Sequence, residues 1–312
     1  MNTGIGTISK YLLSYLFFNN PLRLLLMMIF MAAVIYANYY EPHFFNSLLK
    51  GNHNSWFRSF AGYSGLYAIP FLLAYTIQDK KLSPTFFKNK WFIVLLLLAP
   101  VIFAFRVNFN FHHSFLQNMF EADALIFWRK CIDWVIRVFV VMIPLYFLWR
   151  WKDKHVMPFY GSAWMQTVRP YVIMLLIMIP LICWAASQES FLHMYPRARV
   201  IQELDVRHNF FHYLVYELSY GFDFISIEFF FRGFLILAFM RIAGMYCILP
   251  AACFYCCIHL GKPMPEAISS FFGGLILGTV SYHTKSIWGG FIVHLGIAWM
   301  MEIAGFIAYA MI

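Results

Sequence analysis

The sequence predicts an all-α polytopic membrane protein, with eight or nine transmembrane helices in one bundle. Three observations carry that prediction. Hydrophobic residues make up 62% of the 312, and aromatics 21%. Charged residues make up only 12%, about half the roughly 25% that coats a soluble globule. Uncharged stretches also recur at close to the roughly 20 residues of helix that cross about 30 Å of hydrocarbon. This composition excludes a water-soluble enzyme, a disordered chain and a coiled coil.

The spans follow in chain order. Charge-free runs occupy 24–40, 59–78, 91–105, 170–188, 242–261, 267–284 and 286–301. A further apolar segment at 131–149 is interrupted only by Asp133 and Arg137, which lie four apart on one helical face and can pair. The stretch 208–243 is apolar apart from Glu217, Asp223, Glu228, Arg232 and Arg241 and the histidines His208 and His212. The first apolar run begins only after Arg23 and lacks the compact layout of a cleaved leader, so it reads as a retained span.

Loop charges predict the orientation. Lys80, Lys81, Lys88 and Lys90 cluster in 79–90, and Arg150, Lys152, Lys154 and Arg169 in 150–169. Residues 107–128 carry no Lys or Arg but hold Glu121 and Asp123. The positive-inside bias puts the two basic loops and the N-terminus in the cytoplasm and 107–128 outside. The expected location is the cell (inner) membrane, with the lipid bilayer as surroundings. The basic residues behind the net charge of +9 sit in short runs between apolar stretches, and no nucleic-acid-binding motif accompanies them. The polar stretch 189–207, with Pro196, divides the chain into plain N-terminal helices over 1–188 and a charged C-terminal part, whose core is 205–305.

That C-terminal part carries the candidate chemistry. In SIEFFFRGFLI, Glu228 and Arg232 lie one turn apart on one face. His259 ends an apolar run in FYCCIHLGKP, and His294 lies within another in GGFIVHLGIAW. An ionisable residue inside a span is costly and marks a functional site by default. Taken alone, Glu228 and Arg232 read as an intrahelical ion pair, and either histidine as a satisfied core residue. A carboxylate, an arginine and two histidines on three helices supply together a base for water, a cation to orient it and donors for an oxyanion.

The order and spacing of these residues resemble the CPBP family, which comprises CAAX-type prenyl proteases and bacteriocin-processing or immunity-type (Abi-like) membrane proteins. Its pattern is Glu-Glu-x-x-x-Arg on one helix, Phe-x-x-x-His on the next and His-x-x-x-Asn/Asp on a later one. Residues 227–232 read IEFFFR, 255–259 read YCCIH and 294–298 read HLGIA. The resemblance covers roughly 205–305. It implies an intramembrane endopeptidase acting on a membrane protein or peptide, with Glu228, Arg232, His259 and His294 as catalytic residues. A zinc held by His259, His294 and Glu228 and a metal-free site both stay open. Ile227 stands where the family has its first glutamate, and Ala298 where it has Asn or Asp. These departures raise a second reading, an inactive relative that binds or scaffolds. A transporter is the rival from another class, since buried charges also line translocation paths.

Other features read as structural. Glu217 lies 11 residues before Glu228, about 16 Å along a helix and too far for a carboxylate dyad, and Asp223 falls on a different face from Glu228. Cys253, Cys256 and Cys257 beside His259 read as compact packers, and none of the six cysteines sits in a polar disulfide framework. His208 and His212 lack the intervening glutamate of a zincin. Gly274 and Gly278 predict close helix packing that draws His259 and His294 together. No Gly-x-Ser-x-Gly nucleophile motif is present.

Overall fold

A computed structural model describes residues 5–41, 55–77, 83–165, 167–201 and 210–311. The positions of Asp79, Lys80, Lys81, Arg207 and His208 lie outside the described residues. Among the described residues there is no strand. The principal helices are α1 (Ile5–Phe18), α2 (Pro21–Tyr40), α3 (Trp56–Thr76), α4 (Lys90–Asn108), α5 (His113–Met119), α6 (Ala122–Leu148), α7 (Arg169–Ala186), α8 (Phe210–Glu228), α9 (Ile248–Cys257), α10 (Met264–Thr284) and α11 (Trp288–Ala310). Among the described residues, six segments are long and apolar enough to cross a membrane. One of them, Phe210–Cys257, runs for 48 residues, more than twice the length one crossing needs. The chain is an integral membrane protein with an all-helical fold.

Local chemistry sets several helix starts. Asn20 caps α2 by accepting from the Leu22 N–H, with Pro21 at the first helical position where its missing donor costs nothing. Asn89 caps α4 in the same way, accepting from the N–H groups of Trp91 and Phe92. α10 ends where Lys285 turns into the left-handed region, at φ 57°.

Helices α2 and α7 expose Leu22, Leu25, Ile29, Leu176, Ile177 and Leu181, the apolar faces that lipid covers. The opposite extreme is the continuation of α8, where Phe229–Ala238 runs in π-helical register with all ten residues buried. Phe230 and Phe231 there pack, edge-on or tilted, against Phe103 of α4 and Phe254 of α9, so the middle of the bundle is an aromatic core. α9 packs on α10 and α3, α8 on α6, and α11 on α7. Gly274 of α10 allows the first of these contacts, because a Cβ there would come within 2.9 Å of the Ala252 backbone. Its companion Gly278 instead faces Ile236 and Ile248.

Buried charges pin the loops to this core. Asp153 is 1% exposed and accepts from Tyr160 at 3.0 Å and from Arg241. Glu302 of α11 accepts the backbone N–H groups of Arg197 and Ala198 at 3.0 and 3.2 Å, which holds the 197–201 turn against the helix. The Asp133–Arg137 pair that the spacing allows does not form. Asp133 is instead occupied by His112 and His113, each 2.7 Å away, because α5 folds back onto the start of α6.

Candidate active site

Glu228 is the last residue of α8, and Arg232 follows one turn later in the π-helical stretch. Both are almost fully buried, at 0% and 1% exposed. Glu228 Oε1 lies 2.9 Å from His294 Nδ1 of α11, and Oε2 lies 3.5 Å from Arg232 Nε. The second contact is an ion pair without hydrogen-bond geometry. Arg232 then sits over the Tyr255 ring of α9, at 4.4 Å, where the ring face attracts a cation. The Tyr255 hydroxyl lies 3.2 Å from His294 Nε2 and closes the circuit.

The hydrogen bonds assign the tautomers. His259 Nδ1 is 2.8 Å from the Tyr255 carbonyl, which only accepts, so Nδ1 carries the hydrogen and Nε2 a lone pair. His294 donates from Nδ1 to the Glu228 carboxylate, which leaves Nε2 to accept from Tyr255. Both imidazoles therefore turn basic nitrogens away from their anchors. Gly290 allows the carboxylate its place, since a Cβ at that position would collide with Glu228 Oε2.

His259 and His294 line one cavity of about 660 Å³. Ile227, Asp223, Arg106 and Lys262 share its wall. Glu228 and Arg232 do not: they sit behind His294, not in the cavity. One residue of helix turns a side chain by about 100°, and that step gives the cavity face to Ile227 and the dry face to Glu228. Ala298 packs in a cluster with Tyr216, Tyr220 and Phe224, the last two of which also line the cavity.

Two functional-looking residues had no motif to announce them. Arg106 Nη2 reaches both Asp223 oxygens, at 2.5 and 2.6 Å, and Ser226 supports Asp223 at 3.2 Å. Asp223 lies four residues before Ile227 and so shares its cavity-facing side, a spacing that was readable. Arg106, 117 residues distant, was not. At the cavity mouth Lys262 pairs with Glu266, and burial lowers the pKa of its ammonium.

The donors do not gather as the zinc set that the sequence left open. Among the described residues, Glu228, His259 and His294 do not bring three ligand atoms together. The three cysteines near His259 are buried free thiols, with Cys256 bonded to the Ala267 carbonyl.

Comparison with known families gives a match over part of the chain. Residues 210–300 match the type II CAAX prenyl endopeptidase Rce1-like family. The matched segment is under a third of the chain, and it contains Glu228, Arg232, Tyr255, His259 and His294. No curated protein and no solved structure matches the chain. The Rce1-like segment thus supplies both histidines, while Arg106 and the wall residues Tyr67 and Phe103 come from helices outside it.

Proposed function

We propose that the protein is an intramembrane endopeptidase of the CAAX type, which hydrolyses a peptide bond of a membrane-tethered substrate. The observation that carries this reading is the pair of imidazoles, from two helices of the Rce1-like segment, opening on one cavity inside the bundle. A water in that cavity gives one hydrogen to His259 Nε2 and, displacing the Tyr255 hydroxyl, the other to His294 Nε2, which aims its oxygen lone pair at a substrate carbonyl carbon. As the oxygen attacks, His294 takes the proton and Glu228 stabilises the imidazolium through Nδ1. The carbonyl oxygen becomes an oxyanion facing the cations of the cavity wall, Arg106 and Lys262. His294 then returns the proton to the departing amine, and the C–N bond breaks. In this reading Glu228 and Arg232 position His294 and do not touch the substrate.

The catalytic core is 205–305, and the helices of 1–188 build the far wall of the cavity. The proposed topology has the N-terminus and 150–169 on the cytoplasmic side of the cell membrane. A specific observation favours a second reading, an inactive relative that binds peptides. Ile227 fills the cavity wall where the resembled family carries a glutamate.

Purified protein incubated with a library of membrane-tethered peptides separates the two, with products read by mass spectrometry. Cleavage that falls about 10²–10⁴-fold in Glu228→Gln supports the peptidase. Absence of cleavage both in the wild type and in Ile227→Glu/Ala298→Asn, with peptide binding retained, supports the binding protein.

A further inference from the structure

Away from the cavity described above, two consecutive histidines converge on one carboxylate oxygen. His112 precedes the first turn of α5 and His113 opens it, while Asp133 lies in α6. His112 Nε2 and His113 Nε2 each lie 2.7 Å from Asp133 Oδ1, and the three donor atoms fall within 4.8 Å of one another. The side chains are 14%, 18% and 17% exposed, shielded from bulk water yet within its reach. Packing fixes the imidazoles. The His112 ring stacks on Phe109 at 5.9 Å and meets the His113 ring edge-on at 4.6 Å.

We propose that His112, His113 and Asp133 form a binding site for a divalent transition-metal ion of the zinc class. Zinc bonds of about 2.0–2.1 Å to nitrogen and oxygen set tetrahedral ligand separations of about 3.3 Å. Each imidazole therefore needs to retreat by only about half an ångström to admit the ion. Two imidazoles with one carboxylate suit zinc, iron, nickel or copper, whereas magnesium and calcium take oxygen ligands. Three protein ligands leave a fourth position for water. Asp133 also lines a second cavity of about 430 Å³. Lys130, Arg137, Arg197 and Arg199 share that cavity wall, so the Asp133 carboxylate is the charge that retains a cation against them. The bound ion would clip α5 to α6, tying down the segment before α6 at one end of the bundle.

The test titrates chelator-stripped, full-length protein in detergent with Zn²⁺ against a chromophoric chelator, with Mg²⁺ and Ca²⁺ as separate arms. One equivalent of Zn²⁺ is expected to bind. Asp133→Asn and His113→Gln should each weaken it by at least the roughly 10–100-fold that loss of a mere outer-shell partner costs. The double variant His259→Ala/His294→Ala should leave the affinity unchanged. Because a substituted protein can bind poorly by misfolding, Co²⁺ loading supplies a second readout. Visible absorption bands of four-coordinate Co²⁺ should appear in the wild type and in Asp133→Glu but not in Asp133→Asn. Failure of the wild type to bind Zn²⁺, equal binding of Mg²⁺ or Ca²⁺, or loss of binding in His259→Ala/His294→Ala with retention in Asp133→Asn overturns the proposal.

Discussion

At the scale of single residues, the position of a carboxylate on its helix decides what it does. Ile227 and Glu228 are neighbours in sequence, yet one faces the cavity and the other a dry contact with His294. Ile227→Glu therefore puts a carboxylate into the cavity four residues after Asp223, on the same side of the helix. We expect this variant to raise peptide cleavage over the wild type, with the gain largest above the pH at which the new carboxyl ionises. A turnover assay across pH checks it. The Arg106–Asp223 pair makes a stability prediction. Removing one partner of a buried ion pair costs about 3–5 kcal/mol, because the other charge is left uncompensated, while replacing both is often close to neutral. Arg106→Met should accordingly lower the thermal unfolding temperature in detergent more than Arg106→Met/Asp223→Leu does.

At the scale of elements, small residues set how closely the helices of the candidate site approach. Gly290 leaves the space that the Glu228 carboxylate occupies, and Gly274 leaves the space between α10 and α9. Gly290→Ala should displace Glu228 from His294 and reduce turnover nearly as far as Glu228→Gln, with substrate affinity little changed. Separate measurements of kcat and KM check that pattern. The close packing at Gly274 and Gly278 was legible as small residues four apart, and so was the Glu228–Arg232 turn. Their partners were only partly so. Gly274 meets Ala252 on the helix leading to His259, whereas Gly278 packs on Ile236 and Ile248. The sequence pairs Asp133 with Arg137 by spacing, but α5 brings His112 and His113 to it first. Local periodicity exposes neighbours along one helix, and contacts that depend on a chain reversal escape it.

At the scale of the whole molecule, hydropathy and charge identified an all-helical membrane bundle, because the bilayer imposes one length and one polarity on every span. The division at 189–207 was less informative about the site. It assigned no role to 1–188, yet Tyr67, Phe103 and Arg106 line the cavity opposite His259 and His294. Such assembly across helices leaves no mark in a single sequence. The topology yields its own prediction from loop charges. Single cysteines placed in 150–165 should react with an impermeant thiol reagent only from the cytoplasmic side, and those in 109–120 only from the opposite side. Labelling of 109–120 from the cytoplasm would reverse the assigned orientation.

The central claim is that His294, held by Glu228 and facing the cavity beside His259, is the base that activates water. Its most direct test is the rate at which protein reconstituted in liposomes cleaves a membrane-tethered peptide, compared between the wild type and His294→Ala. We expect measurable cleavage by the wild type and a loss of about 10²–10⁴-fold in the variant, with the protein still folded. Cleavage by His294→Ala at the wild-type rate would contradict it.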